Sequence, residues 1–171
     1  MPHVLDVTFD LLPGRLSAPV SYAELARRLN VGLGQRAPLV DVRAAVLQLR
    51  SLKGMVLDAD DHDTWSAGSF FTNPVLSTQD AARLPTAAPR WVQPDGSVKT
   101  SAAWLIEAAG FGKGYSRGQI AVSGKHPLAL TNRGGGTTKE LLELAREVRD
   151  AVQRRFGVCL VNEPVTVGCR L

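Results

Sequence analysis

The sequence is poor in the residues that staple a fold, ligate a metal or span a membrane. Across 171 residues it holds two cysteines, Cys159 and Cys169. Two thiols make no disulfide framework, and the reading is a reducing, cytoplasmic compartment. The three histidines stand at 3, 62 and 126, with no Cys or His at ligand spacing, so no metal site is expected. No apolar run nears the ~20 residues that cross a bilayer, and no basic stretch followed by an apolar core opens the chain as a secretory signal would. Charge of one sign is scarce too: 20 Lys+Arg against 16 Asp+Glu leave +4. That permits an anionic ligand without demanding nucleic acid. What is present, 44% apolar and 21% charged residues, describes a folded chain and not a disordered one. The length suits about one domain with a core of its own.

The punctuation of the chain predicts short elements in irregular order. Val4–Leu11 alternates as a strand that Pro13-Gly14 stops, although no earlier segment is there to pair with it. Ser21-Tyr22-Ala23-Glu24 has the spacing of a capping box and predicts a helix to about Leu29. A second helix is expected from Pro38 to Leu52, with Leu39, Val42, Val46 and Leu49 on one apolar face and Lys53 continuing that buried stripe to the helix end. Gly68–Val75 reads as a strand and its exit turn, Ser77–Leu84 as a short helix, and Pro85–Pro94 as loop. Ser101 caps a helix through Trp104 and Ala108, and Gly118–Ser123 and Leu128–Asn132 are short strands. The clearest helix is Thr138–Phe156, which the Thr137/Glu140 capping box opens and Gly157 ends. Val158–Val161 and Val165–Val167 complete the reading as strands. Such a mixture predicts α+β, a small mixed or antiparallel sheet with helices packed on it.

Several motifs fail on inspection. Asp58-Ala59-Asp60-Asp61-His62-Asp63 starts like a calcium loop, but its sixth position needs glycine and the twelfth needs glutamate; it reads as a solvated turn. Gly110-Phe111-Gly112-Lys113-Gly114 lacks P-loop spacing and follows a helix instead of a strand. Arg133-Gly134-Gly135-Gly136 reads as a flexible turn.

Gly68-Ser69-Phe70-Phe71-Thr72-Asn73-Pro74 is more informative. On a strand Ser69 shares one face with Phe71, so its hydroxyl can project into an apolar-walled cavity. No Ser-His-Asp arrangement surrounds it, which argues against nucleophilic catalysis. With Leu49–Lys53, Ser101–Glu107, Gly112-Lys113-Gly114, Leu128–Asn132 and Glu163-Pro164-Val165, this stretch resembles the C-terminal part of the UDP-N-acetylenolpyruvoylglucosamine reductases, in order and over nearly the whole chain.

The resemblance implies an oxidoreductase of peptidoglycan synthesis. In that family NADPH reduces bound FAD, the enolpyruvyl group of the UDP-sugar accepts hydride, and a serine protonates the resulting enol. Ser69 matches that serine. Glu163 matches the family's C-terminal glutamate, and Pro164 restricts the backbone beside it. Lys53 and Lys113 match lysines on the diphosphate and sugar. Asn73 matches a ligand-contacting amide, and His126 a polar nucleotide contact. Lys99 and Arg133 are expected on the surface. The family's flavin domain is not matched. Residues 1–16 are therefore expected to be its last strand and 17–171 the substrate-binding domain, with no FAD held by this chain. The implied partners are UDP-N-acetylglucosamine enolpyruvate and the flavin domain, with neither membrane nor nucleic acid. The other open reading is a non-catalytic module that binds an anionic nucleotide or a protein.

Overall fold

Residues 4–171 are described by the computed structural model, and they fall into two units that divide between Arg50 and Ser51. In the first unit, residues 4–13 form neither helix nor strand, and Leu5 and Phe9 are exposed. The strand expected at Val4–Leu11 is not formed, because no strand among the described residues pairs with it. An extended segment without a ladder leaves its N–H and C=O groups to water. Residues 1–3 of the expected first segment lie outside the described residues.

Helix α1 (Ala23–Leu29) ends where expected, on Asn30 in the left-handed region at φ 54°. Its start corrects the capping box. Tyr22 is the N-cap, with no side-chain capping bond, so Ser21 stands one residue too early. Helix α2 (Leu39–Leu52) has the expected bounds, but Ala45 is its one buried residue. Leu39 and Val46 are 43% and 36% exposed, so the anticipated stripe is only partly covered. Lys53 lies beyond the helix and is exposed, not the end of a buried row.

The second unit carries two small antiparallel sheets and three helices, an α+β arrangement. Strand β1 (Val75–Leu76) leads through helix α3 (Thr78–Ala82) to β2 (Arg90–Val92) and β3 (Val98–Thr100), with β3 in the middle of the sheet. After helix α4 (Ala102–Ala108) come β4 (Ser116–Arg117), β5 (Ile120–Val122) and β6 (Leu130–Asn132), with β5 central, and then helix α5 (Thr138–Phe156). Both halves of the α5 capping box are made, and Gly157 closes the helix at φ 69°. Leu144, Ala145, Val148 and Val152 of α5 pack in one core with Leu105 and Ile106 of α4, Ile120 and Val122 of β5, and Phe70 and Phe71. Each such large apolar side chain contributes about 1.5–3 kcal/mol on burial.

Three expectations need correction. The supposed loop Pro85–Pro94 contains β2. Its Arg90 guanidinium donates to the carbonyls of Ala81, Leu84, Pro85, Thr86 and Ala88, fastening the end of α3 in a way no local pattern announces. Val158–Val161 and Val165–Val167 form no strands; one isolated bridge at Asn162 stands there instead. Gly68–Pro74 is not a sheet strand either. It is an extended segment with single bridges on two sides.

Candidate functional site

That segment organises the site. On one side Ser69 bridges Ala129, and the Phe70 N–H donates to the Leu128 carbonyl at 2.7 Å. On the other side Phe71 bridges Asn162, and the Thr72 N–H donates to Val161 O at 3.0 Å. The Glu163 N–H donates to Phe70 O at 2.9 Å, so the backbone of Glu163 sits one hydrogen bond from the residue after Ser69. Ser69 is half-buried and Glu163 exposed. The two phenylalanines do not split into a buried and an exposed face. Both are buried and meet edge to face at 5.0 Å, because the segment is covered on two sides. Asn162 donates its side-chain N–H to Pro164 O at 2.8 Å.

Asn73 has structural work. Its Oδ1 accepts the Ala102 N–H at 2.9 Å, while Ser101 Oγ accepts that of Trp104. Together they satisfy the open donors at the start of α4. With one lone pair of its carbonyl oxygen committed, the NH₂ of Asn73 is the group left wholly open to a ligand.

The two lysines and His126 form the second part of the site. Lys113 tops a tight turn in which the Tyr115 N–H bonds Gly112 O and the Gly114 N–H bonds Val122 O, both at 3.0 Å. Gly114 takes φ 81° there, a conformation that favours glycine. His126 sits half-buried in the turn that follows β5. Its Nδ1 accepts the Leu128 N–H at 3.1 Å, which puts the ring proton on Nε2. Burial pushes the His126 pKa below the ordinary histidine value, and the charges of Lys53 and then Lys113 push it the same way. Three side chains far apart in sequence therefore share one electrostatic neighbourhood.

The acidic loop is not merely solvated. Asp61 pairs with Lys125, and Asp63 with Arg133 at 2.7 Å, so Arg133 is no simple surface residue. The loop also packs on the corner after Lys53. A Cβ at Gly54, where φ is 68°, would lie 2.7 Å from the Asp63 carbonyl oxygen. Gly54→Ala is therefore expected to cost at least the ~1–2 kcal/mol of a left-handed alanine, and more for displacing backbone; thermal unfolding of the chain measures it.

Gly134-Gly135-Gly136 lies between β6 and the start of α5, the shape of a phosphate cradle. Two of its three glycine donors are occupied. The N–H groups of Gly134 and Gly136 both bond Asn132 Oδ1, and that of Thr137 bonds Glu140 Oε2. The turn is tied, not loose, and a carboxylate already sits where an anion would. Among the described residues no three or more His, Cys, Asp or Glu stand together to hold a metal ion, and no helix is long and apolar enough to cross a membrane.

Residues 60–167 match the family model "UDP-N-acetylenolpyruvoylglucosamine reductase, C-terminal domain". The chain belongs to that family. The UDP-N-acetylenolpyruvoylglucosamine reductase of Thermobifida fusca is 57% identical, covering 98% of this chain and 50% of the relative. That of Streptomyces coelicolor is 56% identical over 98% of this chain and 47% of the relative, and that of Mycobacterium tuberculosis 53% identical over 98% and 48%. The chain thus spans about half the length of the curated relatives it matches. A solved reductase from Thermus caldophilus is 25% identical, with a TM-score of 0.41, covering 75% of this chain and 35% of that one.

Proposed function

We propose that this chain is the substrate-holding and proton-donating part of a UDP-N-acetylenolpyruvoylglucosamine reductase. The observation that carries the reading is the electrostatic grouping of Lys53, Lys113 and His126, tied through Leu128 to the segment that holds Ser69. Two ammonium groups and a neutral N–H donor suit a nucleotide diphosphate. A serine at the adjoining segment suits delivery of a proton to the substrate carbon. A hydroxyl is a weak acid, and neighbouring groups must stabilise its developing charge. Glu163, whose backbone is held to Phe70, then stands at the reacting end, and Asn73 contributes its NH₂.

The described residues hold an anion and a proton, not a hydride source. In the glycine turn before α5 the N–H groups of Gly134 and Gly136 are taken by Asn132 and that of Thr137 by Glu140, which leaves it little to offer a flavin phosphate. We assign FAD and NADPH to the part of the relatives' length that the chain does not match, with residues 1–16 continuing from that part as the last strand of its flavin domain and 17–171 the substrate domain.

Titration of the 171-residue chain with UDP and with UDP-N-acetylglucosamine, followed by amide and side-chain NMR, tests the reading. Perturbation should centre on Lys53, Lys113 and His126. Because both lysines are exposed, Lys53→Ala or Lys113→Ala should each weaken binding by about tenfold, near the low end for a charge-assisted hydrogen bond. The loss should shrink in high salt. Unchanged affinity in the double variant would overturn the assignment.

A further inference from the structure

Asp61 and Asp63 take no part in the proposed chemistry, yet they grip the turn that carries His126. Asp63 Oδ1 accepts the Gly124 N–H at 3.0 Å and the Arg133 guanidinium at 2.7 Å. Asp61 pairs with the Lys125 ammonium, and this bond, helped by the Asp63 N–H, holds the Asp61 carboxyl below its usual value. The fit at residue 124 is close: a Cβ there would lie 2.9 Å from Asp63 Oδ2. Within the turn, Ser123 Oγ accepts the N–H groups of Lys125 and His126 at 3.0 and 3.2 Å. Leu128 then faces two ways. Its N–H donates to His126 Nδ1, and its C=O accepts the N–H of Phe70, next to Ser69.

We infer that Asp61 and Asp63 are positioning residues: by clamping the 123–128 turn they fix His126 as the Nε2–H tautomer beside Lys53 and Lys113, a neutral hydrogen-bond donor to an oxygen of the bound nucleotide. The nucleotide in that statement rests on the proposed function; the effect of the clamp on the imidazole does not. The charged groups around the turn are Lys125, Asp61, Asp63 and Arg133, with Lys53 and Lys113 acting on the ring. The two carboxylates offset Lys125 and Arg133, so Lys53 and Lys113 are the cations felt most by His126. A second proton on the ring must go to Nδ1, which breaks the Leu128 bond. With the folded value lowered, the stability contributed by neutral His126 is present above the ordinary histidine value and lost as pH falls through the lowered one.

Long-range proton–nitrogen NMR of the imidazoles, between about pH 5 and 8, tests this in the ligand-free 171-residue chain. Wild-type His126 should show one tautomer, with Nε2 protonated and a midpoint below the ordinary value. Asp63→Ala should give mixed tautomers and faster exchange of the Leu128 amide. A folded Asp63→Ala chain that keeps the single tautomer overturns the inference. Should Asp63→Ala fail to fold, Asp61→Ala decides, since it cuts the Lys125 ion pair and the bond from the Asp63 N–H but leaves the Asp63 carboxylate in place: partial mixing supports the clamp, and an unchanged ring refutes it. A wild-type ring left undisturbed by UDP overturns the functional reading instead, and leaves the tautomer result standing.

Discussion

Replacing Ser69 with alanine, in a reductase of the relatives' full length that carries this segment, is expected to slow turnover by about 10²- to 10⁴-fold, the range for loss of a positioned proton donor. The fold should barely notice. Ser69 meets Ala129 through main-chain bridging, and its neighbour Phe70 bonds Leu128 through backbone N–H. Alanine keeps all of these groups and removes only the hydroxyl. UDP binding by the 171-residue chain should likewise stay at the wild-type level, because Lys53, Lys113 and His126 are untouched. The signature is thus a fall in kcat without a matching rise in the ligand's Kd. Ser69→Cys, which supplies a more acidic group in the same place, should retain part of the rate. Full turnover in Ser69→Ala would falsify the proton-donor role and leave Ser69 as a small residue in a crowded segment.

The helices of this protein were legible wherever their signals are local. The α5 capping box and the terminal glycine each lie within a few residues of the helix end they set, and both are realised. The α1 start failed by one residue, since a serine two positions before the helix satisfies the spacing of a box but not its geometry. Strands were hardest. With lengths of two or three residues they carry almost no period-two pattern. What builds the site lies below even that threshold: single bridges from Ser69 to residue 129 and from Phe71 to residue 162. Such pairing depends on tertiary context that no window along the chain contains.

The site residues divide in the same way. Lys53, Lys113 and His126 have no informative spacing, and resemblance to a family, not pattern, singled them out. The structure adds a reason to group them: burial and the charges of Lys53 and Lys113 all lower the pKa of one imidazole. The residues that were missed, Asp63 and Arg133, are 70 positions apart. The one available signal was an acidic run in a chain whose later turns are basic, and that is too common to use.

Phe71→Ala is the substitution with the largest expected effect on stability. Phe71 is 1% exposed, lies in the core, and stacks edge to face on Phe70. Truncating a buried phenylalanine costs about 3–5 kcal/mol through lost burial and the cavity left behind. For a chain of this length that is a fall in Tm of roughly 6 to 20 °C. The damage should not be uniform. Residues 158–164 form no strand, and they are held by the buried Val158 and Leu160, the bridge at Phe71 and the bonds from Thr72 and Glu163. The side chains of Val161, Val165 and Val167 are exposed and add no burial. Removing the Phe71 ring therefore loosens the segment that carries Glu163 before it melts α5, whose face is buried against α4 and β5. Amide exchange read residue by residue separates the two: protection at Glu163, whose N–H bonds Phe70 O, should fall more than protection in the middle of α5. Equal loss at both places would mean that the tail is no weaker than the core, and that Glu163 is held by more than the backbone of this segment.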